Sequence, residues 1–146
     1  MLKTYHLLMS ETNLRVLLRS MQPVLNPNTY VFVTVPLGSS FPDGIGSSLP
    51  DGIIGMFCEP EGMTLILEKS RADTLNLEYS TELAWIGLSV HSSLEAVGLT
   101  AAFATALTSA GISCNVVAAF YHDHIFVPSA RAEDAMRVLL ALALES

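Results

Sequence analysis

The alternation of apolar and polar positions along the chain changes period several times, and each change marks an element. Leu14, Leu17, Leu18 and Met21 recur at i, i+3, i+4, i+7, which predicts a short helix over 11–21, ended by Pro23 and Pro27. Residues 2–8 read as a strand or a loose arm. The run YVFVTVP at 30–36 is β-branched and aromatic, so it reads as a strand. Residues 37–52 follow, rich in Gly, Ser and Pro, with the turn signal PDG at 42–44 and 50–52; they read as a loop that is either plain linker or a functional lid. Two strands, 53–58 and 63–69, flank the hairpin turn EPEG, and a short helix is expected near 71–77. Residues 79–91 read as one long strand, or two joined by a bend.

Ser92 then begins the motif Ser92-x-x-Glu95, a capping box in which a hydroxyl and a carboxylate satisfy free helix amides. A helix is expected from there to about Ala110, stopped by Gly111. It lacks a charged face. Leu94, Val97, Ala101, Ala104 and Leu107 lie on one side, and Leu99, Phe103, Ala106 and Ala110 on the other, so the helix is expected to be covered twice, once by its own sheet and once by another helix or subunit. Residues 113–121 and 124–127 form a second hairpin with His122-Asp123 at its turn. Ser129 is expected to cap the last helix, with Glu133 and Asp134 favouring its positive end and Met136, Leu139, Leu140 and Ala143 as the buried stripe.

The two halves repeat weakly. YVFVTVPLGSS can be laid over LAWIGLSVHSS, and Arg71 falls over Arg131; each half reads strand, crossover, strand, strand, helix. This is the split βαβ pattern of a ferredoxin-like fold. The fold class expected is α+β: two ferredoxin-like (βαββαβ) modules, 1–78 and 79–146, with antiparallel sheets and helices on one face. The second half lacks a fourth strand, which the first half, the N-terminal arm or a partner subunit must supply.

Composition narrows the function. With 51% hydrophobic and 14% charged residues, the chain can bury a large core and still leave apolar surface for a homo-oligomer, expected as a dimer. The net charge is -7, and the seven Lys and Arg are scattered, so nucleic acid and anionic membranes are not expected as partners. The uncharged stretch 96–122 is interrupted by Gly, Thr, Ser and Asn and does not read as a membrane span. The N-terminus lacks the apolar core and cleavage site of a signal peptide, so a cytoplasmic protein is expected. Cys58 and Cys114 each sit in an apolar run and read as buried thiols.

The topology itself brings polar groups together. In a ferredoxin-like sheet the first and third strands are neighbours, which places His91, Ser92 and Ser93 near His122, Asp123 and His124 at a helix N-terminus. These histidines can be structural, contact a ligand, or hold a metal, although no closed metal-ligand spacing is present. A hydrolase built on Ser92 or Ser93 with a histidine and Asp123 is an alternative, without a nucleophile elbow to support it. Asn115, on a strand edge, can meet a ligand's polar group.

The second half resembles an ACT domain. The residues that carry this are strand 83–91 followed by HSSLEAVGLTAAFATALTSAGISCNVVAAFYHDHIFVP. Over 12–140 the chain is similar to small bacterial proteins made of two ACT-like modules, with YVF and EPEGMTLILE in the first half. The resemblance implies a non-catalytic module that binds an amino acid, often between modules, without cofactor or metal. It implies ligand contacts at Ser92, Ser93, Val97, Gly98, Leu99, Ser113, Cys114 and Asn115, to which the topology adds His91, His122 and His124. No catalytic domain accompanies the modules here, so the resemblance implies a sensor acting on a separate, unidentified partner. The remaining alternative is a ligand-free dimerisation module.

Overall fold

The computed structural model describes residues 13–39, 51–90 and 96–146. The element order is α1 (Leu14–Ser20), β1 (Pro23–Val35), β2 (Ile53–Glu59), β3 (Gly62–Glu68), α2 (Lys69–Thr74), β4 (Leu83–Leu88), α3 (Leu99–Ser109), β5 (Asn115–Ala118), β6 (Asp123–Pro128) and α4 (Ala132–Glu145). The architecture is mixed α+β with antiparallel strands, in two ferredoxin-like modules of the expected class. The chain divides into two compact units, one of Pro27–Trp85 and one of residues 1–26 and Ile86–Ser146.

In the unit of Pro27–Trp85 the strands lie in the order β2-β3-β1. β1 pairs with β3 from Tyr30↔Glu68 to Val35↔Met63, and β2 pairs with β3 from Ile53↔Leu67 to Glu59↔Gly62. The EPEG turn therefore closes as expected. Gly62 is required there, because a Cβ at this position would stand 2.7 Å from the Val35 carbonyl oxygen. Alternate β1 residues Val31, Val33 and Val35 pack with Ile53, Met63, Leu65, Leu67 and Ala72 into one core. Trp85 meets Tyr30 edge-on, with ring centroids 5.2 Å apart. β1 starts at Pro23, earlier than its β-branched run, because Pro23 and Pro27 are compatible with extended backbone even though they end α1.

In the other unit the order is β4-β6-β5, and β1, whose first four residues belong to this unit, adjoins β4. β5 and β6 pair from Asn115↔Phe126 to Ala118↔Asp123. Asp123 is consequently the first residue of β6 and not a turn residue as expected. The turn runs through Ala119–His122, closed by the Ala119 N–H donating to the His122 carbonyl at 3.1 Å.

α3 buries Leu99, Phe103 and Leu107, one residue per turn, while Thr100, Ala101, Thr105, Thr108 and Ser109 are exposed. α3 packs on α4 and on α1, so other helices cover it in part, as expected. The helix also begins at Leu99, six residues later than the capping box places it; Gly98 is its N-cap in the left-handed region at φ 101. Ser92 and Glu95 lie outside the described residues. Gly111 ends the helix as expected, at φ 69.

Ser129 does not cap α4. It opens a 3-10 turn over Ser129–Arg131, and the N-cap of α4 is Arg131, with no side-chain capping bond. The Arg131 guanidinium instead reaches back to Ala110 O at 3.2 Å and Gly111 O at 3.4 Å, a cation on the negative end of α3. α4 buries Ala135 and Leu139, whereas Leu140 is exposed. Cys58 is exposed on β2 and Cys114 is half-buried, so the buried-thiol expectation fails for Cys58. The apolar run around Cys58 lies in β2, which neighbours only β3 in the strand order, and its last four residues are exposed.

Replacing Phe103, whose side chain is fully buried, is expected to expose the weight of α3 in the fold. Phe103→Ala loses about 3–5 kcal/mol of stability in urea unfolding. Thr105→Ala, on the exposed side, changes it by less than about 0.5 kcal/mol. Comparable losses from both would refute one-sided burial.

Candidate functional site

The candidate residues gather around the junction of β4 and α3 and the β5–β6 hairpin, but not all at one point. His91, Ser92 and Ser93 lie outside the described residues. Val97 and Gly98 lead into α3; Val97 is 83% exposed and Leu99 is buried. The first turn of α3 receives no side-chain capping bond and no acidic residue. Among the described residues no carboxylate stands against the amides of this positive helix end. Gly98 adopts a conformation that L side chains rarely take, and a Cβ there would stand 3.0 Å from Leu14 Cδ2.

At the hairpin, a ring nitrogen of His122 lies 3.3 Å from the Val90 carbonyl oxygen. This contact ties the β5–β6 turn to the end of β4, as the sheet order expected from the sequence requires. His124 sits on β6 opposite Val117, and its ring lies beside Gly87, whose absent side chain leaves the room. Asp123 is 7% exposed. Burial raises its carboxyl above the ordinary range, partly opposed by the nearby charges of His124 and His122. Burial lowers His124, helped by His122 and opposed by Asp123.

Ser113 and Asn115 stand at the other end of the hairpin. Asn115 Nδ2 donates to the Phe126 carbonyl at 3.3 Å. Three register steps separate Asn115↔Phe126 from Ala118↔Asp123, which is about 10 Å along the strand. One small ligand in one copy therefore does not touch both Asn115 and His122. Cys114, between Ser113 and Asn115, is half-buried, and burial pushes its thiol up, away from a reactive thiolate.

Among the described residues no group of three or more His, Cys, Asp or Glu side chains could hold a metal ion. No helix among them is long and apolar enough to cross a membrane. One feature without a sequence signal is an open cleft of about 250 Å³ lined by Asn28, Thr29, Lys69, Ser70 and Asp73. Lys69 Nζ lies 2.9 Å from Asp73 and 3.8 Å from Glu82, and 5.7 Å from the centre of the Tyr79 ring. Tyr79 Oη donates to Asp73 at 2.7 Å. Two carboxylates already balance this ammonium, so the cleft is a poor anion site.

The pH dependence follows from the signs. A histidine whose pKa falls on folding favours the native state while neutral, and that stability is lost as pH drops through the ordinary imidazole range. A carboxyl whose pKa rises does the opposite lower down: its ionised form costs stability above its folded pKa. The melting temperature of the wild type is therefore expected to fall between pH 7 and pH 5, and that of His124→Gln to fall less. Asp123→Asn is expected to melt higher than the wild type at pH 7. Scanning calorimetry across this range decides it; parallel curves for wild type and His124→Gln would contradict the assignment.

Comparison with known proteins agrees with this arrangement. A family model described as ACT domain matches residues 9–84, and a second ACT-domain model matches residues 80–141. Among curated proteins none matches. Among solved structures, a Vibrio cholerae protein of unknown function, described as a possible transport protein, is 48% identical, with 89% of this chain and 95% of that chain covered and a TM-score of 0.75. An Agrobacterium tumefaciens protein is 14% identical, covering 84% of this chain and 89% of that one, at a TM-score of 0.67. The regulatory subunit of aspartate kinase from Thermus thermophilus, in ligand-free form, is 11% identical over 82% of this chain and 95% of that one, at a TM-score of 0.57. The last two are likenesses of fold. With one model spanning more than half of the chain and another matching its second half, the chain belongs to the ACT-domain family.

Proposed function

We propose that this chain is a non-catalytic regulatory module that binds a free amino acid and acts on a separate partner protein, in the cytoplasm and as a homodimer. The observation that carries the reading is the ACT-family match on both halves, combined with a first turn of α3 that no described side chain caps and that is entered through Gly98. Its modules are those read from the repeat, 1–78 and 79–146.

The ligand carboxylate is held by backbone amides between Ser93 and Leu99, where the helix end is positive and a glycine lets the backbone approach closely. His91, Ser92, His122 and His124 face the ligand's polar parts, and Val97 its apolar part. Ser113 and Asn115 lie too far along the hairpin to join them in one copy. In the homodimer they reach the ligand from the second copy. β5 ends the strand order, and Val97, Phe120 and Tyr121 are 83%, 75% and 58% exposed, which supports an interface on this side.

A thermal-shift panel of the twenty amino acids at millimolar concentration tests the proposal. A ligand at 100 times its Kd stabilises by about 2.7 kcal/mol, a rise of several degrees for a chain of this size. One or two amino acids are expected to produce it. Gly98→Leu, which sets a side chain at φ 101 against Leu14, is expected to abolish the shift while circular dichroism still reports a folded chain. A flat response to all twenty would refute the proposal.

A further inference from the structure

Residues 75–82 carry the chain from α2 to β4, from the first half of the repeat to the second. Leu75, Leu77 and Tyr79 are half-buried there, whereas Asn76, Glu78 and Ser80 are exposed, the period of two of an extended segment with one face inward. Leu77 and Tyr79 pack against the core of β1, β2, β3 and α2 without being fully buried in it. Backbone hydrogen bonds fasten only the start. The Leu75 N–H donates to the Arg71 carbonyl at 3.0 Å, that of Asn76 to the Asp73 carbonyl at 3.1 Å, and that of Leu77 to the Ala72 carbonyl at 2.9 Å. Asn76 takes φ 52 in this turn, a left-handed conformation that asparagine tolerates better than most residues. Among the described residues, no backbone hydrogen bond of this kind falls on 78–82.

The remainder is held by a polar clasp centred on Lys69. Its Nζ lies 2.9 Å from Asp73 on the same helix, 3.8 Å from Glu82 at the far end of the segment, and 5.7 Å from the centre of the Tyr79 ring between them. Tyr79 Oη donates to Asp73 at 2.7 Å. One ammonium thus gathers the helix, the middle of the segment and its end. The side chains of Lys69, Asp73 and Glu82 are 31%, 48% and 50% exposed, and ion pairs so open to water contribute little and weaken in salt. A segment held in this way belongs to the low end of the range of local stabilities, where a part opens without the whole.

We infer that residues 75–82 form a strap that opens and closes as a unit while β1, β2, β3 and α2 stay folded, with Lys69 as its fastening. Closed, the strap lays Leu77 and Tyr79 on the core and sets where the chain enters β4. Open, it takes both side chains off the core and lengthens the free chain between α2 and β4. The strands beneath do not need it, because Val31, Leu65, Leu67 and Ala72 are already buried among themselves. The strap is a conformational device between the two halves of the repeat, and it stands whether or not an amino acid binds at α3.

Native-state hydrogen exchange, followed by NMR, tests this on wild type, Lys69→Met and Glu78→Gln. Lys69→Met keeps the aliphatic stem and removes the charge. Glu78 is exposed on the same segment and outside the clasp, so Glu78→Gln controls for a change of charge alone. The Leu77 amide, bonded to Ala72, reports the strap, and the amides of the β1–β3 ladder report the fold beneath it. Lys69→Met is expected to speed exchange at Leu77 by roughly three- to tenfold, the scale of losing exposed ion pairs, while the ladder keeps its wild-type rates. Chymotrypsin is expected to cut after Tyr79 faster in this variant by a similar factor. Wild type in about 1 M sodium chloride, where charges are screened within a few ångströms, is expected to move in the same direction, which serves if Lys69→Met does not fold. Glu78→Gln is expected to match the wild type. Leu77 exchanging at the rate of the ladder in every sample would show that the segment opens only with the whole fold, and would overturn the inference. An unchanged Leu77 rate in both Lys69→Met and high salt would overturn it as well, since Lys69 would then fasten nothing.

Discussion

Much of this chain is arranged around a single backbone turn. Gly98 takes φ 101, Leu14 closes the space beside it, and α3 can begin only afterwards. Where α3 begins decides which of its residues face inward. Starting at Leu99 puts Leu99, Phe103 and Leu107 on the buried stripe and leaves Thr100, Thr105 and Thr108 outside. It also leaves a helix end whose first amides have no side-chain cap. The same turn therefore serves the core and sets a positive helix end where backbone dipoles favour a carboxylate.

Electrostatics reinforces this division. Arg131 covers the negative end of α3, bridging Ala110 and Gly111, while its Nε donates to Asp134 at 2.9 Å. The C-terminal end of α3 is thus satisfied from within the chain, and no described side chain caps its N-terminal end. On the neighbouring hairpin, burial disfavours the charged forms of Asp123 and His124. The hairpin sits close to the end of β4 through the His122–Val90 contact. In the unit of Pro27–Trp85 the charges do the reverse: Lys69, Asp73, Glu82 and Tyr79 neutralise one another at the surface, where ion pairs contribute little to stability.

The fold was largely legible in the sequence because its strands are dense in β-branched and aromatic residues and its turns use residues that few other structures tolerate. EPEG closes β2 on β3 and Gly111 stops α3, and both follow from local chemistry. What was not legible depends on tertiary contacts. The sequence Ser92-x-x-Glu95 has the form of a cap, but the described helix follows Gly98, where a side chain would meet Leu14 in a way no local pattern reveals. Ser129 has the right residue type for a cap, but the chain makes a 3-10 turn first, which moves the N-cap to Arg131. Cys58 lies in an apolar run that is exposed from Met56 onward, because β2 has β3 on one side only in the strand order. The candidate site was legible as a list of residues, since sheet order predicts His122 beside the end of β4. Its division into two ends of a hairpin follows from register, which sequence alone does not fix.

The central claim is that an amino acid binds where the chain turns into α3. The most direct measurement is an NMR titration of the 15N-labelled protein with a mixture of the twenty amino acids, followed at the backbone amides. The account predicts that the amide resonances of Gly98, Leu99 and Thr100 shift saturably, while those of Lys69, Ser70 and Asp73 at the polar cleft do not. Shifts confined to the cleft, or none at any amide, would contradict it.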